Sequence, residues 1–309
     1  MTFLPKTSVI IPIHNGEKDI PELLECLENQ TYPKNLIEYL LIDNNSTDNT
    51  PNLLKAAKLP PLSQKEIQSS YAARNTGIHA ATGEIIAFTD ADCRPKPNWL
   101  LTLIQPFVKP QIGIVAGEII ALPGKSLLEK YAQKKEILSQ KHTLAHPHCP
   151  YGQTANLAIR RQIFQEMGLF RPYLTTGGDA DICWRILKQT NWQLEFVPEA
   201  IVQHRHRSTW KELHSQWKKY GQSNQYLHQL HGIDLTRELT KKEFIYRISR
   251  WLIKELPLTT IKTIFGQTPP LDLLTTPIDL YCFQARTEGQ KQATLSETAK
   301  QIENLEKSP

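Results

Sequence analysis

Two aspartates one residue apart, Asp90 and Asp92, follow a short apolar run in GEIIAFTDADCR, residues 83–94. Carboxylates so close repel one another unless a cation lies between them. Hard divalent ions, Mn²⁺ or Mg²⁺, take oxygen ligands and share them with phosphates. A second apolar run, YLLI, ends at Asp43, and a third, SVIIPI, leads into His14-Asn15-Gly16. Arg74 stands before the Asp-Ala-Asp run and can pair with phosphate or with one of these carboxylates. Further along, TTGGDADICWRI carries Asp179 and Asp181. At i and i+2 on a helix they face different sides, and Asp181 is spaced to pair with Arg185 at i+4. His204 opens a basic stretch, His204-Arg205-His206-Arg207. A neutral imidazole there can bind Mn²⁺ more readily than Mg²⁺, and the stretch can equally clamp phosphate or form a solvated turn. Alone, an Asp-Ala-Asp is a common turn sequence, so the weight lies in what surrounds it.

The elements that position these residues follow from patterning. Ser8–Ile13 and Glu38–Asp43 read as strands buried on both faces, with Pro12 at a strand end because proline cannot serve a central ladder. Ile85–Phe88 and Ile112–Leu122 read the same way. Helices are expected over Asp19–Gln30, from Ser46–Pro51 with Asp48 or Thr50 as cap, over Ser69–Ala81, and over Pro97–Phe107. Lys55–Gln68 is poorly patterned, with at best a brief strand near Ile67. This order predicts an α/β fold with a mainly parallel sheet, whose strand ends form a ligand crevice. A polar helix is expected over Lys125–His142. A loop over 142–155 holds His142, His146 and His148. A strand at Ala155–Ile159, a helix from Arg161 and one opening at Gly177-Gly178-Asp179 come next. Two short strands, Trp192–Val197 and Ala200–Gln203, precede long helices over Ser208–Gln229 and Lys241–Glu255. The tail from Glu288 reads as a frayed helix.

The 309 residues suffice for a large core, and a net charge of +5 suits anionic substrates or a membrane surface without requiring nucleic acid. Five scattered cysteines with no C-x-x-C pair indicate neither a zinc knuckle nor a disulfide framework, which favours a reducing, cytoplasmic compartment. The N-terminus lacks the pattern of a signal peptide, and no stretch has the length of a membrane span. The segment 241–256, KKEFIYRISRWLIKEL, is a basic amphipathic helix that either lies on a membrane surface or packs its apolar face on the protein.

Four stretches in order, SVIIPIHNG, LLIDNNSTDNT, AARNTGIHAATGEIIAFTDADC and TTGGDADICWRI, resemble family 2 glycosyltransferases. The resemblance covers residues 6–210. It implies the GT-A fold, Rossmann-like with a mainly parallel sheet flanked by helices. The glycosyltransferase domain would span 1–210, with a nucleotide-binding half at 1–122 and an acceptor half at 123–210, and residues 211–309 would form a helical extension. It further implies that Pro12, Asn15 and Glu17 line the nucleotide pocket, that Asp43 contacts the base, and that Arg74 and Asn75 lie near base and diphosphate. Asp90 would stand closer to ribose or sugar, Asp92 would hold the metal with His204, and Asp179 would be the general base. Asn156, Gly177 and Gly178 would lie on the acceptor side. The family often carries Glu where this chain has Gly178.

The expected activity is metal-dependent, inverting transfer of a sugar from a nucleoside-diphosphate donor, a UDP-sugar above others, to a hydroxyl of a glycan, lipid-linked or small-molecule acceptor. Two other readings stand beside it. A nucleotidyltransferase would want a glycine-rich, basic phosphate loop after the first strand, which HNGEKDI lacks. A non-catalytic sugar-nucleotide or glycan-binding protein would not need Asp90, Asp92 and Asp179 intact.

Overall fold

The structure, a computed structural model, describes residues 3–57 and 61–305. The apolar runs form strands: β1 (Thr7–Ile13), β2 (Ile37–Asp43), β3 (Leu62–Ser63), β4 (Ile85–Phe88), β5 (Cys93–Pro95), β6 (Ile112–Ala121), β7 (Leu157–Arg160) and β8 (Gln193–His204). The brief strand expected near Ile67 falls at Leu62–Ser63 instead, and residues 58–60 of that stretch lie outside the described residues. The two strands expected over 192–203 are one strand, β8, whose ladder with β6 shifts register between Gly117 and Glu118. All eight strands form one sheet in the order β3-β2-β1-β4-β7-β6-β8-β5. β3, β2, β1 and β4 run parallel, as do β6 and β8, while β7 and β5 are antiparallel to their neighbours. The sheet is flanked by helices, as the resemblance implies.

β1 shows why the run had to be apolar throughout. Val9, Ile11 and Ile13 face a core shared with α1 (Ile20–Glu28), α2 (Thr50–Ala56) and, later in the chain, α4 (Trp99–Ile104). On the opposite face Ile10 meets α3 (Ser70–Ala80), where a Cβ on Gly77 would lie 2.7 Å from the Ile10 side chain. Alternate side chains thus fill two cores. Pro12 pairs with Ile42 in β2, but the β4 ladder stops at Ile10–Phe88, so its missing N–H costs that ladder nothing. Ser69 caps α3 by accepting from the Tyr71 N–H at 3.2 Å.

By contacts the chain divides into two compact units. The first comprises residues 1–122, 138–205 and 296–309, and the second 123–137 and 206–295. The polar helix expected over 125–142 is broken into α5 (Leu127–Lys134) and α6 (Gln140–Leu144), because Glu136 takes a left-handed φ of 48° that no helix continues. In the first unit the segment before the C-terminus is no frayed helix. Glu303 accepts from Asn75 Nδ2 at 2.9 Å and its backbone oxygen accepts from the Leu169 N–H at 2.7 Å. The second unit is helical: α9 (Trp210–His231), α10 (Lys241–Arg250), α11 (Leu256–Ile264) and α12 (Thr275–Gln292) follow α5. α9 and α12 approach so closely that a Cβ on Gly221 or Gly289 would collide with the other helix's backbone.

α7 (Arg161–Met167) and α8 (Gly178–Gln189) complete the first unit. Asp181 on α8 is fully buried and pairs with Arg185 at 3.1 Å, as its spacing predicts, and with Arg171 at 3.0 Å. Arg185 also donates to the Met167 and Leu169 carbonyls at 2.6 Å each, closing the turn after α7. Asp181→Asn leaves two guanidinium groups without their counter-charge. It is expected to lower unfolding stability by about 3–5 kcal/mol, measurable as a fall in the urea midpoint with an unchanged slope.

Candidate active site

The carboxyl ends of β1, β2 and β4 bring their polar residues to one edge, because the three strands are parallel neighbours. Ile13 stands opposite Asp43, and the Thr89 N–H reaches the Ile10 carbonyl at 3.4 Å beyond the end of β4. The turn after β1 and the Asp-Ala-Asp turn touch: a Cβ on Gly16 would lie 3.7 Å from that of Ala91.

The turns after β1 and β2 are tied together. Asn15 has a φ of 52°, and its Oδ1 accepts from the Thr47 N–H at 2.8 Å while its own N–H donates to Ser46 Oγ at 2.9 Å. Glu17 accepts from the Asn49 N–H at 3.0 Å, and Asp48 accepts from the Glu17 N–H at 3.1 Å. Asp43 is buried and holds its own turn, accepting from the Ser46 N–H at 3.1 Å. His14 bonds the Asn44 carbonyl at 3.0 Å.

Arg74, buried on α3, donates from Nη2 to Asp90 at 2.6 Å and lies 5.4 Å from the centre of the Tyr71 ring. Burial works against its charge, but Asp90 and Asp179 outweigh that and hold its pKa above the ordinary value. Its buried Nε has no hydrogen-bond partner. Asp179, in the first turn of α8, accepts from Thr154 Oγ1 at 2.9 Å. Burial pushes the Asp179 carboxyl up; Arg74 pulls it back, and Asp90 adds to the rise. Asp90, Arg74 and Asp179 are therefore one electrostatic group, assembled from a strand end and two helices.

Gly177 caps α8 with a φ of 82°, a conformation glycine adopts without strain. A Cβ on Gly178 would stand 2.7 Å from the Tyr71 ring, the ring that also faces Arg74. The glycine at this position is thus a packing requirement of this chain, where the resemblance suggested a glutamate.

Asp92 approaches His204 at 3.3 Å, and β5 pairs Cys93 directly with His204. One ligand atom each from Asp92, Cys93 and His204 lie within 4.8 Å of one another. Burial pushes the Cys93 thiol well above its ordinary value, and its Sγ lies 3.9 Å from the Ala155 carbonyl. A carboxylate and an imidazole remain as the donors suited to a hard or borderline divalent ion.

Two expected residues do not join the cluster. Asn75, next to Arg74 on the helix, uses its amide on Phe170, donating to the carbonyl at 2.9 Å and accepting from the N–H at 3.1 Å, and on Glu303. Asn156 is fully buried. Its Oδ1 accepts from Trp99 Nε1 at 2.7 Å, and its Nδ2 donates to the Glu118 and Ala200 carbonyls at 2.9 and 2.7 Å. Both amide hydrogens of each residue are used inside the protein, which favours a structural role for these side chains. Arg205, in the stretch read as a phosphate clamp or a solvated turn, is held by Asp19 and Glu22 at 2.9 Å each.

Sequence reasoning missed the groups that brace the site. Arg94 donates to the Ala91 and Cys93 carbonyls at 3.1 and 2.8 Å, inside the Asp-Ala-Asp turn, and to Asp19 and Glu22 at 2.7 and 2.9 Å. The Arg205 N–H holds the Asp92 carbonyl at 3.0 Å. The only hint was two acids three apart at the start of α1, with their partners over seventy positions away. Thr154, which anchors Asp179, had no signal. His146 and His148, read as loop residues, pack against Trp184 with tilted rings whose centres lie 5.1 and 4.7 Å away, beside Tyr151.

The model of glycosyl transferase family 2 matches residues 8–168, which include the strand ends of β1, β2 and β4 and both turn aspartates. Among similar proteins, the glycosyltransferase AglE of Haloferax volcanii is 33% identical over 213 residues, 65% of this chain and 67% of that protein. The pre-mycofactocin glycosyltransferase of Mycobacterium tuberculosis is 25% identical over 70% of this chain, which spans only 46% of that relative's length. In fold, the chain is similar to the mannosyltransferase PcManGT of Pyrobaculum calidifontis, solved with GDP-Man and Mn²⁺. That likeness has a TM-score of 0.65 and 19% identity, and covers 94% of this chain and 88% of the other. It is also similar to glucosyl-3-phosphoglycerate synthase of M. tuberculosis, solved with Mg²⁺ and uridine diphosphate, with a TM-score of 0.55 and 19% identity over 74% of this chain and 80% of the other. With the family model matched across more than half of its length, the chain belongs to glycosyl transferase family 2 and is a glycosyltransferase of the GT-A fold.

Proposed function

We propose that this glycosyltransferase is a metal-dependent, inverting enzyme that moves a sugar from a nucleoside-diphosphate donor to an acceptor hydroxyl. The observation that carries the reading is the group Asp90–Arg74–Asp179, which sets a guanidinium between a strand-end carboxylate and a helix-borne carboxylate with a raised pKa. Asn15, Glu17 and Asp43 stand at the neighbouring strand ends, where the nucleoside would lie, with Pro12 beneath them. Asp92 and His204 would hold the divalent ion, Mn²⁺ or Mg²⁺. Bound there, the ion would neutralise charge on the departing diphosphate.

The chain's own groups supply the rest. Asp179 takes the proton from the acceptor hydroxyl as its oxygen forms the new bond to the anomeric carbon. The bond from that carbon to the diphosphate oxygen breaks, and the configuration inverts because attack and departure are on opposite faces. A carboxylate raised by burial is a stronger base than an exposed one, which suits it to this step. Thr154 orients it. Arg74 has a buried Nε still to be satisfied and stands where donor phosphate or sugar oxygens could meet it.

The solved neighbours support the donor class, since their complexes hold GDP-Man, or uridine diphosphate with Mg²⁺. A UDP-sugar is the first donor to test, with a glycan, lipid-linked or small-molecule hydroxyl as acceptor. We assign the chemistry to the first unit, within residues 1–122 and 138–205, and read 206–295 as the helical extension, where 1–210 and 211–309 were expected. Five free thiols support a reducing, cytoplasmic setting.

A donor panel scored by release of nucleoside diphosphate with Mn²⁺ tests the reading. Asp179→Asn should reduce kcat by about 10²–10⁴-fold while donor binding, followed by thermal shift, persists; retained turnover would remove Asp179 from the base role. Asp92→Asn should abolish Mn²⁺-dependent stabilisation by nucleoside diphosphate without changing the circular dichroism spectrum. Because the Asp179 pKa is raised, turnover should fall, on acidification, at a pH above the ordinary aspartate value. Thr154→Val removes the hydroxyl bond that favours the ionised form and keeps the backbone one, so that acid limb should move to higher pH in a kcat profile.

A further inference from the structure

Among the described residues, half of the large apolar side chains left exposed lie in one short stretch of the second unit. These are Ile245, Tyr246, Leu252, Ile253, Leu258, Ile261, Ile264 and Phe265, eight of sixteen. Ile253, Ile264 and Phe265 are 79%, 76% and 73% exposed. The expected helix over Lys241–Glu255 does not end before Pro257. It runs from α10 through a π-helical turn, Trp251–Glu255, directly into α11. The wider turn accommodates a proline that has no N–H and whose ring would crowd the preceding turn.

The helix has an inner face already in use. Phe244, Ile248, Trp251 and Glu255, at i, i+4, i+7 and i+11, are half-buried. Trp251 Nε1 donates to the Leu273 carbonyl at 2.9 Å, and Glu255 accepts from Thr276 Oγ1 at 2.6 Å. Packing on the protein is therefore done by this stripe, and the exposed residues form a second apolar stripe beside it. Ile245 and Leu252, and Tyr246 and Ile253, are seven apart, and Leu258, Ile261, Ile264 and Phe265 continue at spacings of three and four. An apolar patch of this extent marks an interaction surface.

Charge says what covers it. Residues 241–266 hold six basic groups (Lys241, Lys242, Arg247, Arg250, Lys254 and Lys262) and two acids (Glu243 and Glu255), a net of +4 within a chain of net +5. Two copies meeting through this face would bring like charges together, whereas an anionic surface would attract them. No helix among the described residues is long and apolar enough to cross a membrane. Lysine and arginine flanking an apolar stripe on a helix is the chemistry of an element that lies in the plane of a lipid interface.

We propose that residues 241–266 dock this unit onto an anionic lipid surface, with the outer apolar stripe entering the headgroup region and Lys254, Lys262 and Arg247 on lipid phosphates. The proposal does not depend on the sugar chemistry, and its test needs no turnover. The full chain is sedimented with vesicles of phosphatidylcholine mixed with phosphatidylglycerol, and with phosphatidylcholine alone. Partitioning should favour the anionic vesicles by about ten-fold or more and weaken as salt is raised. Ile253→Gln combined with Ile264→Gln and Phe265→Gln should lower partitioning by at least about ten-fold, with circular dichroism unchanged because all three side chains are exposed. Lys254→Gln and Lys262→Gln should each cost about five-fold. Failure of the unaltered chain to bind anionic vesicles at low salt would overturn the proposal. So would binding that the apolar variant retains, or a dimer in sedimentation equilibrium that this variant abolishes without any vesicle binding.

Discussion

The first unit depends on one electrostatic constraint. Asp90 and Asp179 are brought to a common group by different elements, and carboxylates in a partly dry site cannot share it without a cation. The guanidinium of Arg74 supplies that cation permanently. It bonds Asp90 directly and lowers the cost of ionising Asp179, which burial and Asp90 both oppose. Tyr71 sets the geometry from beneath, with its ring against Arg74 on one side and the Gly178 backbone on another. A side chain at Gly178 would therefore disturb the arginine as well as the helix that carries Asp179.

A second pair of arginines solves a different problem. The Asp-Ala-Asp turn is short and carries charge at its rim, so it needs an external brace to hold its backbone. Arg94 grips the turn's carbonyls while Asp19 and Glu22 grip Arg94, and Arg205 joins the same two acids while its N–H holds Asp92. Arg94 draws the Glu22 carboxyl below its usual range, as expected for an acid bonded to a guanidinium. The network joins α1, β5 and the end of β8. The spacing between Asp92 and His204 is thus set by ion pairs as well as by the β5–β8 ladder.

The second unit uses its side chains differently. α9 and α12 are drawn together by glycines and by apolar residues such as Leu213, Ile278 and Cys282. The segment from α10 to α11 gives one stripe to that packing and leaves the other apolar. A basic amphipathic helix in a sequence fits both membrane contact and packing. Here packing takes one face of the helix and leaves a second apolar face exposed, and the π-helical turn keeps those faces continuous past Pro257.

Much of this could be read from residue order. Unbroken apolar runs leading into Asp43 and Asp90 required buried parallel strands with charge at their carboxyl ends, because only that arrangement buries both faces of a run and leaves its polar end in water. The i+4 spacing of Asp181 and Arg185 was enough to assign that pair. Asn75 and Asn156 were beyond reach, since a buried amide closing backbone bonds and an amide facing a ligand are the same residue in a sequence. The same holds for Arg94 and Arg205, whose partners lie far away along the chain, and for the outward stripe of 245–265, since the sequence read as one apolar face and only packing shows that a second stays uncovered. Local patterning determined which elements form and where their charged ends lie. Which side chains meet was decided only by tertiary packing, because ion pairs and hydrogen bonds act over a few ångströms in space regardless of separation along the chain.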